Sequence, residues 1–333
     1  MEKELIEKWI ICKQEANCTF ANNFQYENNT LLKVNTLFLS KLDIWEDFIV
    51  AIFLLTVGVA SIVLNGLVMY LCIRKVKKLV SCDFYVLNLA VIDIIMPVFG
   101  FPLTIYSSLN HQWMFDEIFC AAYGFICFFC GVVSITTLAV ISYVRYIKVC
   151  GVKRGGSILL HTKASLIGIY CYAGFWALLP LFRVGAYGPE PYGTSCTLAW
   201  KGYPVFVTFF LVGCVLLPVV IMNLSYGKII WTSKIARRRA SVEVRKTGPT
   251  LKKRDAFLIK MTFSMCVAFV GLWCPYAVVS LWTAYGGEGE VPVRLTLCAV
   301  LLAKLSTIVN PILYFMLNKK FRPFLKKTFC NKS

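Results

Sequence analysis

Seven stretches of this chain are each long and apolar enough to cross a bilayer, and that leaves the backbone one choice. A membrane-spanning helix needs about 20 mostly apolar residues. Hydrocarbon offers no partner to a free N–H or C=O, so such stretches fold as helices. They are Phe48–Ile73, Phe84–Ser108, Glu117–Val149, Ala164–Phe182, Tyr203–Gly227, Ala256–Tyr285 and Leu295–Leu317. Only 16% of the 333 residues are charged, against about 25% in a soluble domain, which excludes one large soluble core. The expected fold is all-α. A seven-helix transmembrane bundle covers 48–317, an extracellular segment 1–47, and a short amphipathic helix with a cytoplasmic tail 318–333. No repeat of the kind a duplicated transporter carries is visible.

Lys and Arg in the short loops set the orientation. With the N-terminus outside, the inner loops, the tail and the adjoining helix ends hold 26 of the 35 basic residues. The outer segments hold eight, and Lys304 is the remaining one. Asp83, Glu243 and Asp255 are the three acids on the inner side. The net charge of +18 is then a topology signal and a contact for anionic membrane lipids, with no call for nucleic acid. The expected location is the plasma membrane, multi-pass, N-terminus extracellular. There, Asn17 in Asn17-Cys18-Thr19 and Asn28 in Asn28-Asn29-Thr30 are candidate glycosylation acceptors. Met1–Lys13 mixes acids and bases with no cleavage site after an apolar run, so no cleavable signal peptide is expected. Most of the 15 cysteines lie in apolar runs, where Cys acts as a small hydrophobe. With two histidines in the chain, no metal site is expected. Past the seventh stretch, Phe321, Phe324, Leu325 and Phe329 alternate with Lys and Arg at helical spacing, as in a helix lying in the interface. Cys330 near its end is either palmitoylated or a free thiol.

Lys304 breaks the apolar pattern of "AVLLAKLSTIVNPILYFML" about 10 residues into the seventh stretch. A charge at that depth costs about 2.5–3.5 kcal/mol. A lysine near a helix end extends to the interface, but from mid-span that reach is hard. Desolvation favours the neutral amine, and a neutral amine is a nucleophile that condenses with an aldehyde to a Schiff base.

Short motifs follow one another along the spans. Asn65 lies in "LNGLVMY" and Asp93 in "NLAVIDIIMP"; Cys120 opens the third span and Arg145-Tyr146 closes it. Trp273-Cys274-Pro275-Tyr276 lies in the sixth span and Asn310-Pro311-Ile312-Leu313-Tyr314 in the seventh. From Phe48 to Cys330 the chain resembles the rhodopsin-like (class A) G-protein-coupled receptors. Lys304 precedes Asn310 by six residues, the spacing of the chromophore lysine in opsins. The stretches "PEPYGTSCTL", "CPYAVVSLW" and "LLAKLSTIVNPILY" look most like the neuropsin group of opsins.

The resemblance implies a retinal chromophore, 11-cis and/or all-trans, held as a Schiff base on Lys304. It implies a heterotrimeric G protein as partner, with arrestin and a receptor kinase as further ones. It assigns activation roles to Arg145, Tyr146, Tyr226, Asp255, Asn310, Pro311 and Tyr314. It sets Asp93 near Asn310, where it holds water or a cation between helices. Cys120 and Cys196 resemble the family's outer disulfide, which pins the second outer loop over the pocket. A protonated Schiff base needs a counterion. Many visual opsins carry a glutamate three residues after the third-helix cysteine, but here that residue is Tyr123. Glu190, six residues before Cys196, matches the second-loop glutamate that serves as counterion in bistable opsins; a solvated loop acid is the other reading. Tyr123, Trp273 and Tyr276 are expected to line the pocket.

Two positions depart from the pattern. Most relatives place Asp or Glu before Arg145-Tyr146, and here the residue is Val144. The local partner of Arg145 is thus missing, and Asp255 on the sixth span remains to pair with it. Tyr170 replaces the usual fourth-helix tryptophan, a packing change. Three readings follow: a signalling photoreceptor, a retinal photoisomerase that barely signals, and a receptor for a diffusible ligand. The first is expected, with no enzyme activity, since the third leaves Lys304 unexplained.

Overall fold

The computed structural model describes residues 24–27, 30–33, 36–74, 81–151, 158–242, 253–286 and 291–317. Among them are seven helices fit to cross a membrane: Ile44–Ile73, Ser81–Leu109, Glu117–Val149, His161–Phe182, Pro204–Ile235, Ala256–Tyr285 and Val293–Leu317. They are called the first to the seventh span below. Hydropathy marks only the part of a helix that lies in hydrocarbon, so several helices run past the expected ends. The fourth starts at Ile158 and the fifth continues to Val242. The first begins four residues before Phe48, because its start is set by a cap. Glu46 Oε2 accepts the Asp43 N–H at 2.9 Å, the backward half of a capping box. Arg294 then ties the outer ends of the first and seventh spans, donating to Glu46 Oε1 at 2.7 Å and to Asp43 Oδ2 at 3.1 Å.

The end of the bundle that carries the Asp43 cap and the loop between the fourth and fifth spans is called the outer end, and the opposite end the inner. Two short antiparallel hairpins accompany the helices. Strands β1 (Phe24–Glu27) and β2 (Thr30–Lys33) pair in the N-terminal segment. Strands β3 (Tyr187–Pro189) and β4 (Cys196–Leu198) pair in the second outer loop. Asn17, Asn28, Cys330 and the expected amphipathic helix over 318–333 lie outside the described residues.

Proline sets the bends that shape the bundle. It has no N–H, and its ring displaces the carbonyl four residues earlier. Pro97 in the second span frees the carbonyl of Asp93, and Pro311 in the seventh frees that of Thr307. A buried carbonyl must find another donor, and the first span supplies both. Ser61 Oγ donates to the Asp93 carbonyl at 2.7 Å, and Asn65 Nδ2 to the Thr307 carbonyl at 2.9 Å. The second span breaks at Gly100, three residues past its proline, into Ser81–Phe99 and Phe101–Leu109. An Asn65→Ala variant should lose about 1 kcal/mol, the net worth of a hydrogen bond, because the Thr307 carbonyl keeps only the longer bond from Ser61 Oγ at 3.3 Å. A lowered thermal unfolding midpoint of the purified protein, measured against wild type, checks this.

Candidate functional site

The outer half of the bundle encloses a cavity of about 190 Å³, walled by the third, fifth, sixth and seventh spans and the β3–β4 hairpin. One water needs only about 10–15 Å³, so this space is a binding site in size and no packing defect. Its walls are largely aliphatic and aromatic, which suits an apolar ligand. The fifth span widens into a π-helical turn over Leu211–Leu216 where it borders the cavity, a local irregularity frequent at functional sites.

The hairpin forms the outer lid. Glu190-Pro191-Tyr192-Gly193 makes its turn, closed by the Gly193 N–H on the Glu190 carbonyl at 2.9 Å and by the Glu190 N–H on the Ser195 carbonyl at 2.8 Å. Pro191 fits the second turn position, where its fixed φ is already correct. Gly193 has φ +91°, and a Cβ there would run into the Leu39 carbonyl, so only glycine serves. The Cys120–Cys196 disulfide anchors β4 to the start of the third span.

A buried amine and a buried carboxyl face this space. Lys304 is 6% exposed, and its Nζ donates to the Tyr123 hydroxyl at 2.7 Å. Tyr123 also accepts from Ser195 Oγ at 3.0 Å. Glu190 is 3% exposed. Its Oε1 accepts from the Tyr276 hydroxyl at 2.8 Å, and the Thr197 hydroxyl lies 2.6 Å from that same Tyr276 oxygen. Its Oε2 is buried with no partner among the described residues. Burial pushes the Glu190 carboxyl up to about 7, against the bonds from Tyr276 and Thr197 and the pull of Lys304. A carboxylate with one free buried oxygen is half satisfied, and a fixed cation nearby would complete it. Trp273 donates Nε1–H to Ser306 Oγ at 3.1 Å and stacks on Phe269 at 5.5 Å. Gly131 of the third span makes room for its indole: a Cβ there would come within 2.8 Å of the ring.

The inner half carries the remaining motif residues. Arg145 is buried beside Cys82, and its Nε has no hydrogen-bond partner among the described residues. The Asp255 side chain lies outside the described residues. Tyr146 stands 6.2 Å from Tyr143, ring to ring. Tyr226 reaches from the fifth span to the sixth, donating to Thr262 Oγ1 at 2.8 Å. Asn310 Nδ2 donates to Asp93 Oδ2 at 3.0 Å, so that expected neighbourhood is present. Tyr314 is buried edge-on to Phe315, with Pro311 one turn before it. Tyr170 does more than pack. Its hydroxyl donates to Asn88 Oδ1 at 2.6 Å, and Asn88 Nδ2 donates to Thr137 Oγ1 at 3.0 Å. The phenol thereby joins the second, third and fourth spans, which corrects the packing-only expectation.

Comparison with known proteins identifies the family. The family model described as "7 transmembrane receptor (rhodopsin family)" matches residues 64–314. Opsin-5 of Homo sapiens is 39% identical over 295 residues, covering 85% of this chain and 82% of that protein. "Rhodopsin, G0-coupled" of Mizuhopecten yessoensis is 30% identical over 285 residues, covering 83% of this chain and 71% of that one. The crystal structure of squid rhodopsin superposes with a TM-score of 0.80 at 25% identity, covering 89% of each chain.

Proposed function

Because the chain belongs to the rhodopsin family of seven-transmembrane receptors and, within it, to the opsins of the neuropsin group, we propose that it holds retinal as a Schiff base on Lys304 and relays light to a heterotrimeric G protein. It is a multi-pass membrane protein and a light-sensing receptor, not an enzyme. The observation that carries the finer reading is the buried Lys304 amine on the wall of an apolar cavity. Lys304 would hold the chromophore, its amine condensing with an aldehyde with loss of water. Retinal supplies a light-absorbing polyene whose shape changes on excitation. Tyr123 orients the Lys304 nitrogen, the apolar walls exclude water, and Trp273 fills the cavity floor. Glu190 serves as counterion, held by Tyr276 and Thr197 with its second oxygen available. That carboxylate belongs to a disulfide-pinned lid instead of the third span, which suits retention of the photoproduct in a bistable cycle.

The same reading sets residues 1–47 outside with glycans on Asn17 and Asn28, and 318–333 inside with a palmitate on Cys330. Arg145, Tyr146, Tyr226, Asp255, Asn310, Pro311 and Tyr314 form the inner, G-protein-facing machinery, and arrestin and a receptor kinase act on the same face. The relative named as a G0-coupled rhodopsin supports such a partner.

Purified protein regenerated with 11-cis and with all-trans retinal tests this. Both isomers should give a pigment, and a flash should raise nucleotide exchange on at least one member of a G-protein panel. If light isomerises retinal and no G protein responds, the photoisomerase reading, with which Val144 is compatible, replaces signalling. If neither isomer gives a pigment, the retinal assignment falls and a diffusible ligand is to be sought. Val144→Glu should restore a local partner to Arg145 and lower dark exchange, by up to about fivefold for a pair worth about 0–1 kcal/mol. Exchange measured in darkness on matched wild type and variant decides it.

A further inference from the structure

The outer cap over the Glu190 turn is sewn from three chain segments. Leu39 bridges Gln112, the Trp113 N–H donates to the Phe38 carbonyl at 2.8 Å, and the Ser40 N–H to the His111 carbonyl at 3.1 Å. The Lys41 N–H donates to the Tyr192 carbonyl at 3.2 Å, joining this weave to the hairpin two residues from Glu190. The Asp47 side chain fastens the weave to the bundle, facing Ser40 and His111. Asp47, in the first turn of the first span, has a side chain 1% exposed, and its Oδ2 lies 2.6 Å from Nδ1 of His111, which is 40% exposed. Asp47 Oδ1 is buried with no hydrogen-bond partner among the described residues. His111 sits at φ +57°, a left-handed conformation uncommon for a side-chain-bearing residue, so the turn holds its ring against Asp47 at some backbone strain. Neither residue touches the cavity or the inner motifs.

We propose that His111 and Asp47 form a proton-operated latch, closed when the imidazole is charged and loosened when it is neutral, that sets how firmly the outer cap is held shut. The inference does not rest on retinal. A charged donor makes a hydrogen bond about twice as strong as a neutral one, and a buried carboxylate that loses its cation becomes an uncompensated charge. Histidine is the side chain that ordinarily changes charge between about pH 5 and 8, and the half-exposed ring meets protons directly. The other groups nearby do not substitute for it. Glu46 on the same helix is engaged by Arg294 of the seventh span. Ser40 and Gln112, from the cap, are neutral. The other histidine, His161, is at the start of the fourth span, at the opposite end of the bundle. The hairpin contributes Glu190, whose carboxyl burial pushes up to about 7, and it needs its own control.

Hydrogen–deuterium exchange of the full-length protein in lipid nanodiscs without retinal tests the latch. Amide protection is read for 37–42 and 110–113 between about pH 5 and 8. After correction for intrinsic exchange, protection of the Ser40, Lys41 and Trp113 amides should fall about fivefold from the acid to the alkaline end. Asp47→Asn and His111→Asn, the latter with a residue that accepts the left-handed backbone, should be weakly protected at both ends. Glu190→Gln should keep the wild-type fall. Protection that is flat with pH in wild type overturns the proposal, as does a fall that survives in His111→Asn or disappears in Glu190→Gln. Even if the latch variants do not fold, protection that is flat in wild type or a fall lost in Glu190→Gln still overturns the proposal.

Discussion

In Lys304→Ala, borohydride treatment of protein incubated with retinal traps no adduct, whereas wild type carries it on the peptide that holds Lys304. The loss should be complete, because no other lysine among the cavity-lining residues offers an amine to the aldehyde. The basic residues sort to the membrane faces, where an ammonium is hydrated, protonated and a poor nucleophile. The variant should fold, since Tyr123 keeps its bond from Ser195 Oγ and alanine leaves no polar group unpaired. An adduct still trapped in Lys304→Ala would falsify the assignment. Circular dichroism and the unfolding midpoint separate that result from misfolding.

The second large effect belongs to Glu190. Where wild type absorbs in the visible, Glu190→Gln should absorb in the near ultraviolet at neutral pH. Removing the carboxylate leaves the protonated nitrogen on Lys304 without its counter-charge, so the pKa of that nitrogen falls. A cationic acid with a lowered pKa is charged only below the new value. Visible absorption should therefore return on acidification of the variant and vanish again as pH rises. Glu190 itself titrates in the opposite sense: its carboxyl, pushed up to about 7 by burial, loses its proton as pH rises, and a cation on Lys304 pulls that step lower. If wild type absorbs only in the ultraviolet in darkness, dark protonation is refuted and the same comparison is made on the photoproduct. An unchanged visible spectrum in Glu190→Gln rules out its role as counterion.

Most of the fold was legible because the bilayer imposes one rule on every span. Unbroken apolar length gave seven helices, and the third was bounded correctly at Glu117 and Val149, where charge or turn residues coincide with the helix ends. The first span was misplaced at its start because Ile44-Trp45-Glu46-Asp47 mixes acids into the helix, and the cap at Asp43 outweighs their cost. Motif residues were legible where a motif fixes them, as Asn310 beside Asp93 illustrates. Ser61, Ser195, Thr197 and Ser306 were not. Each is a small hydroxyl within an apolar or loop segment, common in such segments. Its partner lies tens to hundreds of residues away, on a neighbour that only the packed bundle supplies. The Asp47–His111 pair was hidden for the same reason: one of several acids at a span's end reads as solvated until its burial is known.

The proline-freed carbonyls of the second and seventh spans have a kinetic consequence. A regular helix that swings at its middle must first rupture a hydrogen bond of its own ladder. Here the ladders are already open at Asp93 and Thr307, and the groups that close them belong to another helix. Ser61 and Asn65 therefore act as a splint laid across two fractures. When the inner half of the seventh span moves, what must let go is an amide side chain that keeps its bond to the Ser61 carbonyl, 3.0 Å away on its own helix. The barrier to that motion is a change of partner on a neighbouring strut, and its height can be tuned from the first span without altering one residue of the helix that moves.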